Sequence, residues 1–248
     1  MNLKEEIIMM EKYISKTSAS NELHERAKQF LPSGVSYIIR YFEPYPFYTK
    51  MAKESKLIDI DGNEYVDFWI GHLALILGHS PEPVIEAVKK QIENGTHFGT
   101  CHPLEVELAE EIVKLVPCAE MVRYTNTGTE AAMYAIRLAR AYTRRKKIVK
   151  FEGGWHGGYD ALDIDVQVTG VSSLFHTHFT KNEVKNVKDV MNADRKRLMK
   201  YHLHLIENGV FFLPTKTGGL CSAHTEEDLE KLFKEAENYT RKIRRSPD

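Results

Sequence analysis

An α/β fold with a small α+β C-terminal part is predicted by three features of this 248-residue sequence. Two short apolar runs, MVRYTN (121–126) and KIVKFE (147–152), flank a stretch from Glu130 to about Thr143 whose apolar residues recur at helical spacing, a βαβ-type pattern. Ahead of them, amphipathic helical stretches alternate with a turn-punctuated region of short strands. Behind them, a long charged helical stretch, a short apolar run and a capped final helix follow in that order.

Taken in chain order, Leu3 to Phe30 reads as two helices, because the apolar periodicity breaks at Ser18-Ala19-Ser20-Asn21, where a cap can restart a helix. The run FYTKMAKESKLIDIDGNEYVDF (47–68) turns at Asp61-Gly62-Asn63, residues that tolerate positive φ, and predicts a meander of short strands. Pro83–Asn94 and Pro103–Val116 each place a proline in the first helical turn. The run SSLFHTHF (172–179) predicts a strand with Leu174, His176 and His178 on one face. A charged helix from about Asn192 to Glu207, a strand over Gly209–Leu213 and a helix opening at Thr225-Glu-Glu-Asp228 complete the chain. The expected divisions are 1–75, 76–165 and 166–248.

Composition narrows the function. With 34 Lys and Arg against 35 Asp and Glu, no excess of charge favours nucleic acid or an anionic membrane as partner. The hydrophobic content of 42% is enough for a core, yet no apolar run is long enough to span a bilayer. Three dispersed cysteines argue against a disulfide framework, and the amphipathic, partly acidic start is unlike an export signal. A cytoplasmic protein acting on small molecules is expected.

The residues that carry chemistry cluster at Asn126-Thr-Gly-Thr-Glu130 and Phe151-Glu-Gly-Gly-Trp-His-Gly-Gly158. Amides at a helix start face outward with the positive end of the helix dipole, so Thr127, Gly128 and Thr129 suit a phosphate, with Gly128 permitting close approach. An ordinary capped helix is the plainer alternative. Trp155 and His156 follow a predicted strand, at the sheet end where open α/β folds bind ligands, and an indole there can stack on a planar heterocycle. His97, Cys101 and His102 lack a spacing that brings three ligands together, and no metal site is assigned. His202 and His204, two apart on a predicted helix, face different ways.

The linked motifs NTGTEAAMYAIRLARAYT and KIVKFEGGWHGG resemble the class III, fold type I aminotransferases, near the glutamate-1-semialdehyde aminomutase branch. The likeness runs over nearly the whole chain, including LPSGVSYIIRYF, NGTHFG and AHTEEDLEKL. It implies pyridoxal 5'-phosphate as cofactor, phosphate contacts from Thr127, Gly128 and Thr129, Trp155 as the ring platform with His156 beside it, and Arg40 as a substrate-carboxylate ligand. It also implies an amino acid or keto acid substrate and a homodimer, or docking to a related full-length chain. The sequence departs from the aminomutases at GHLALILGH, which leaves the substrate open.

A larger departure follows the ring-platform loop, where the sequence passes from Tyr159 to the family's C-terminal part near Val168. The family's cofactor-bonding lysine and its pyridine-pairing aspartate fall in the skipped stretch. The expectation is therefore an incomplete fold type I large domain with a small α+β C-terminal domain, and an impaired catalyst. No catalytic residue is assigned, and neither Lys150 nor Lys181 lies in a matching motif. A non-catalytic descendant that binds cofactor or partner, a decayed gene product, and a nucleotide-binding βαβ module remain as alternatives.

Overall fold

A computed structural model of the chain describes residues 3–149, 157–158, 174–180, 184–185 and 187–245. Two helices open it, α1 (Leu3–Lys16) and α2 (Ser18–Ala27), broken at Thr17. The meander follows as β1 (Thr49–Lys53), β2 (Lys56–Asp59) and β3 (Glu64–Asp67), all antiparallel, with the β2–β3 turn built on Gly62 at φ +90°. Asp59 ties this turn, its carboxylate accepting from the Asn63 backbone and side-chain amides and from the Tyr65 hydroxyl.

A single turn, α3 (Ile70–Leu73), has positive φ at all four residues and is left-handed. Then come α4 (Glu82–Asn94), α5 (Pro103–Leu115) and α6 (Gly128–Thr143). The C-terminal part holds β4 (Leu174–Phe175), α7 (Val187–Met191), α8 (Arg195–Glu207), β5 (Val210–Phe211), β6 (Gly218–Gly219) and α9 (Glu226–Arg245).

The chain divides into two units, one of residues 1–86, 171–183 and 191–248, the other of 87–170 and 184–190. In the first, β5 joins the meander beside β3 in parallel, Val66 facing Val210 and Asp67 facing Phe211, to give the order β1-β2-β3-β5. Side-chain alternation sends Val66, Phe68, Val210 and Phe212 to one face, where Leu198, Tyr201, Leu205, Leu232 and Tyr239 of α8 and α9 cover them. Tyr65, Phe211 and Leu213 go to the other face, with Tyr13, Phe42, Tyr45, Leu57 and Ile206. Each such apolar side chain stabilises the fold by about 1.5–3 kcal/mol on burial.

The opening of α9 is capped as its sequence predicts: the Thr225 hydroxyl accepts from the Asp228 amide at 3.2 Å, and the Asp228 carboxylate accepts from the Thr225 amide at 3.0 Å and from the Ser55 hydroxyl at 2.7 Å. His202 and His204 both lie in the core at 2% exposure. His202 Nδ1 accepts from the Thr215 amide at 2.8 Å, and burial pushes its ring down to about 3.

In the second unit the two runs flanking α6 differ from their expected strands. Residues 122–125 and 144–149 are in no ladder, and the rest of the KIVKFE run lies outside the described residues. A strand exists only through its partner's hydrogen bonds, and among the described residues no strand pairs with either run. The helices tell the same story: α4, α5 and α6 have no buried residue, and the apolar stripe Tyr134, Leu138, Tyr142 of α6 is exposed. Of the expected strand over 172–179, residues 172–173 lie outside the described residues, and the rest pairs as β4 at Leu174 and Phe175, beyond which His176 and His178 stack at 4.4 Å.

Candidate functional site

Thr127 is the N-cap of α6: its backbone is extended and its Oγ1 accepts from the Glu130 amide at 3.1 Å. The Glu130 carboxylate reaches back to the Asn126 amide at 2.8 Å. The Gly128 and Thr129 amides lie in the first turn, where an α-helix has no internal acceptor for its N–H groups. A Cβ built on Gly128 meets nothing within 4 Å, so the backbone is open on that side.

The glycine pair of the second motif packs onto this turn. Thr129 Oγ1 accepts from the Gly158 amide at 3.2 Å. Gly157, at φ +101°, would carry a Cβ only 3.0 Å from Thr129 Cα, so the close approach requires glycine there. Both threonine hydroxyls therefore act as acceptors toward backbone amides, which leaves each hydroxyl hydrogen to donate outward. Two amides and two hydroxyls, on a helix start with an open glycine, form a set suited to phosphate oxygens. Trp155 and His156 lie outside the described residues.

Arg40 belongs to the first unit, in a 3-10 turn over Ile38–Arg40. Its side chain is exposed and Nη1 donates to the Ser36 hydroxyl at 3.0 Å. Close by is a residue that the sequence reading passed over, His72 of the left-handed α3 turn, whose ring stacks on Tyr37 at 6.0 Å and lies 5.1 Å from Trp69. Partial burial, then the charge of Arg40, hold its imidazole below the ordinary histidine range. The GHLALILGH departure was the available signal, but a left-handed turn cannot be read from it, since three of its four residues carry side chains.

Of the remaining histidines, His102 serves as the cap of α5, its Nδ1 accepting from the Leu104 amide at 3.2 Å. Burial, followed by His178 and Lys216, pushes His176 down to about 4. Among the described residues no group of three or more His, Cys, Asp or Glu could hold a metal ion. No helix among them is long and apolar enough to cross a membrane.

A family model described as aminotransferase class-III matches residues 39–208. The chain is 51% identical over 217 residues to glutamate-1-semialdehyde 2,1-aminomutase of Methanosphaera stadtmanae, covering 83% of this chain and 51% of that protein. Among solved structures, an omega-transaminase from Sphaerobacter thermophilus is 43% identical, with a TM-score of 0.56 over 57% of this chain and 32% of its own. A structure described as a transaminase with PLP bound is 29% identical, with a TM-score of 0.58 over 90% of this chain and 54% of its own. The chain thus spans about half the length of the curated relative it matches.

Proposed function

This chain belongs to the aminotransferase class-III family, and on that premise we propose that it is a glutamate-1-semialdehyde-aminomutase-like protein that holds pyridoxal 5'-phosphate for amino-group transfer on an amino acid substrate. One observation carries this reading: the Thr127-Gly128-Thr129 helix start, its two hydroxyls fixed as acceptors and its first amides free of internal partners.

On this reading the Gly128 and Thr129 amides and the Thr127 and Thr129 hydroxyls hold the phosphate. Gly157 and Gly158 fix the second hydroxyl in place. Trp155 is the proposed platform for the ring, with His156 beside it, and Arg40 the proposed ligand of the substrate carboxylate. When bound, the cofactor supplies the electron sink for chemistry at the amino-bearing carbon. The chain's own contribution is to bind and orient.

We further propose an internal deletion between Tyr159 and Val168, which removes the stretch that carries the family's cofactor-bonding lysine and leaves the isolated chain an impaired catalyst. A second family chain, in a homodimer or as a full-length relative, is the proposed source of the missing group. The proposed setting is the cytoplasm.

The test is a titration of the full chain with pyridoxal phosphate, followed by visible absorbance and by protection against inorganic phosphate, then borohydride reduction and peptide mapping. Saturable, phosphate-competed binding supports the cradle. A single reduced lysine peptide identifies a recruited lysine and restores a catalytic role, whereas binding with no fixed lysine supports impairment. Absence of saturable binding overturns the proposal.

A further inference from the structure

Residues of α1, β3, the end of α8 and α9 line a polar cleft of about 330 Å³ in the first unit, within the size range of small-molecule sites. Glu207, the last residue of α8, is one of them. Its Oε1 is buried and, among the described residues, has no hydrogen-bond partner. Buried polar atoms nearly always have one, so this oxygen calls for a partner from outside the chain.

The charges around the cleft give the sign of that partner. Lys16 of α1 and Lys231 of α9 both line it, and neither is in an ion pair among the described residues. Lys16 donates to the Glu207 carbonyl at 3.2 Å, and the Lys231 ammonium rests against Gly209, where an added Cβ would come within 2.8 Å of it. Glu64, the other acid of the lining, has its carboxylate on Lys56 at 3.1 Å. Lys12 and Lys242 add positive charge from α1 and α9. Glu235 of α9 is engaged by Asn238 and His204, and burial holds the His204 ring below its ordinary range, so that ring adds no charge near neutrality.

Burial and the negative end of the α8 dipole both oppose a charge on Glu207. Burial, against the pull of the lysines, lifts its carboxyl to about 7, so near neutrality the side chain is in part a hydrogen-bond donor. A protonated carboxyl and two ammonium groups make a set of donors. A carboxylate matches it, one oxygen accepting from the Glu207 hydroxyl and the other from an ammonium. A cationic ligand would instead enter against Lys12, Lys16, Lys231 and Lys242.

We propose that this cleft binds a small carboxylate anion together with a proton, the proton carried by Glu207 and the charge met by Lys16 and Lys231. Only the protonated Glu207 offers its hydrogen, so affinity follows the protonated fraction, which falls about tenfold between pH 6 and 8.

The experiment is a calorimetric titration of the full chain, without cofactor, with sodium acetate at constant ionic strength and at pH 6, 7 and 8, in two buffers of different ionisation enthalpy. Acetate is ionised throughout and carries no amino or keto group. One saturable site is expected, about tenfold tighter at pH 6 than at pH 8, with close to one proton taken up at pH 8. Glu207→Gln keeps a donor that does not titrate, so its affinity should be the same at all three pH values. Lys231→Met should weaken binding about tenfold, and Thr129→Val, at the phosphate turn, should leave it unchanged. The proposal is overturned by no saturable binding, by wild-type affinity that ignores pH, by unchanged affinity in Lys231→Met, by a loss in Thr129→Val, or by tighter binding of methylammonium than of acetate. Should a variant not fold, the wild-type pH dependence and proton count decide alone.

Discussion

The Thr129 hydroxyl oxygen accepts the Gly158 amide hydrogen across twenty-nine residues of sequence, at 3.2 Å, and so joins the two motifs into one surface. Its own hydrogen remains for a ligand. Thr129→Val removes that donor with little change in volume, and Thr129→Ser keeps it. We expect the valine variant to bind pyridoxal phosphate about tenfold more weakly, the cost of a hydrogen bond to a charged group, with the serine variant near wild type. The absorbance titration distinguishes them.

Gly128 separates fold from ligand. An added methyl there meets no protein atom within 4 Å, so Gly128→Ala should shift the denaturation midpoint by no more than about 0.5 kcal/mol. The same methyl stands in the way of the proposed phosphate contact with the backbone, and binding of pyridoxal phosphate is expected to fall by an order of magnitude or more. Urea unfolding and the titration, run on one preparation, check both halves.

Asp228 holds the start of α9 and, through Ser55, the meander. Burial alone would raise its carboxyl, but the hydrogen bonds from Thr225 and Ser55 outweigh that and bring it below the ordinary range. A depressed acid contributes stability above its unfolded value and loses it as pH falls through the folded one. Asp228→Ala should cost about 1–3 kcal/mol near neutrality, and the gap to wild type should narrow in acid. Denaturant melts at neutral and acid pH measure it.

His202 gives a second acid-sensitive contribution, in a different window. Its ring is held neutral by burial, with a folded value of about 3 against an ordinary 6.5. Its contribution is complete above 6.5 and is lost as pH falls toward 3, on the order of 1 kcal/mol per pH unit. His202→Gln, which keeps an acceptor for the Thr215 amide, should flatten the stability profile between about pH 6 and 4, with His176 and His204 among the groups that set the slope that remains.

Glu207 runs the other way. Burial lifts its carboxyl to about 7 from an ordinary 4.5, against the pull of Lys12, Lys242 and Lys16, and its Oε1 is buried without a hydrogen-bond partner. An acid raised on folding contributes most below its unfolded value and loses that contribution as pH rises to the folded one. Glu207→Gln should therefore gain on wild type between about pH 4.5 and 7, by on the order of 1 kcal/mol once partial solvent screening is allowed for. Thermal melts of the two proteins across that range test the sign.

Local chemistry in the sequence carried much of this structure. The Gly62 turn and the Thr225–Asp228 cap each depend on a few neighbouring residues and stand where those residues predict, whereas the break between the first two helices falls at Thr17, ahead of the expected Ser18–Asn21, which is helical. The Thr127 cap and the open backbone at Gly128 were legible for the same reason, since both are local properties. The flanking strands were not, because the apolar run MVRYTN specifies a strand only in the presence of a partner. The burial of His202 and His204 was hidden too: helical spacing shows that they diverge, but the Thr215 amide and Glu235 carbonyl that receive them lie far along the chain.

The parallel pairing of β3 with β5 makes the first unit a host and the second a guest. Val66 and Val210 sit side by side in the sheet, and the whole second unit, 87–170 and 184–190, falls between them in sequence. The entropy of closing such a connection grows only with the logarithm of its length, by about 0.6 kcal/mol per doubling. The two aromatic cores flanking the sheet are built from residues outside the second unit. Shortening or lengthening the guest therefore leaves the host's core contacts in place. The part of the fold that joins the beginning of the chain to its end is thus built without residues of the second unit.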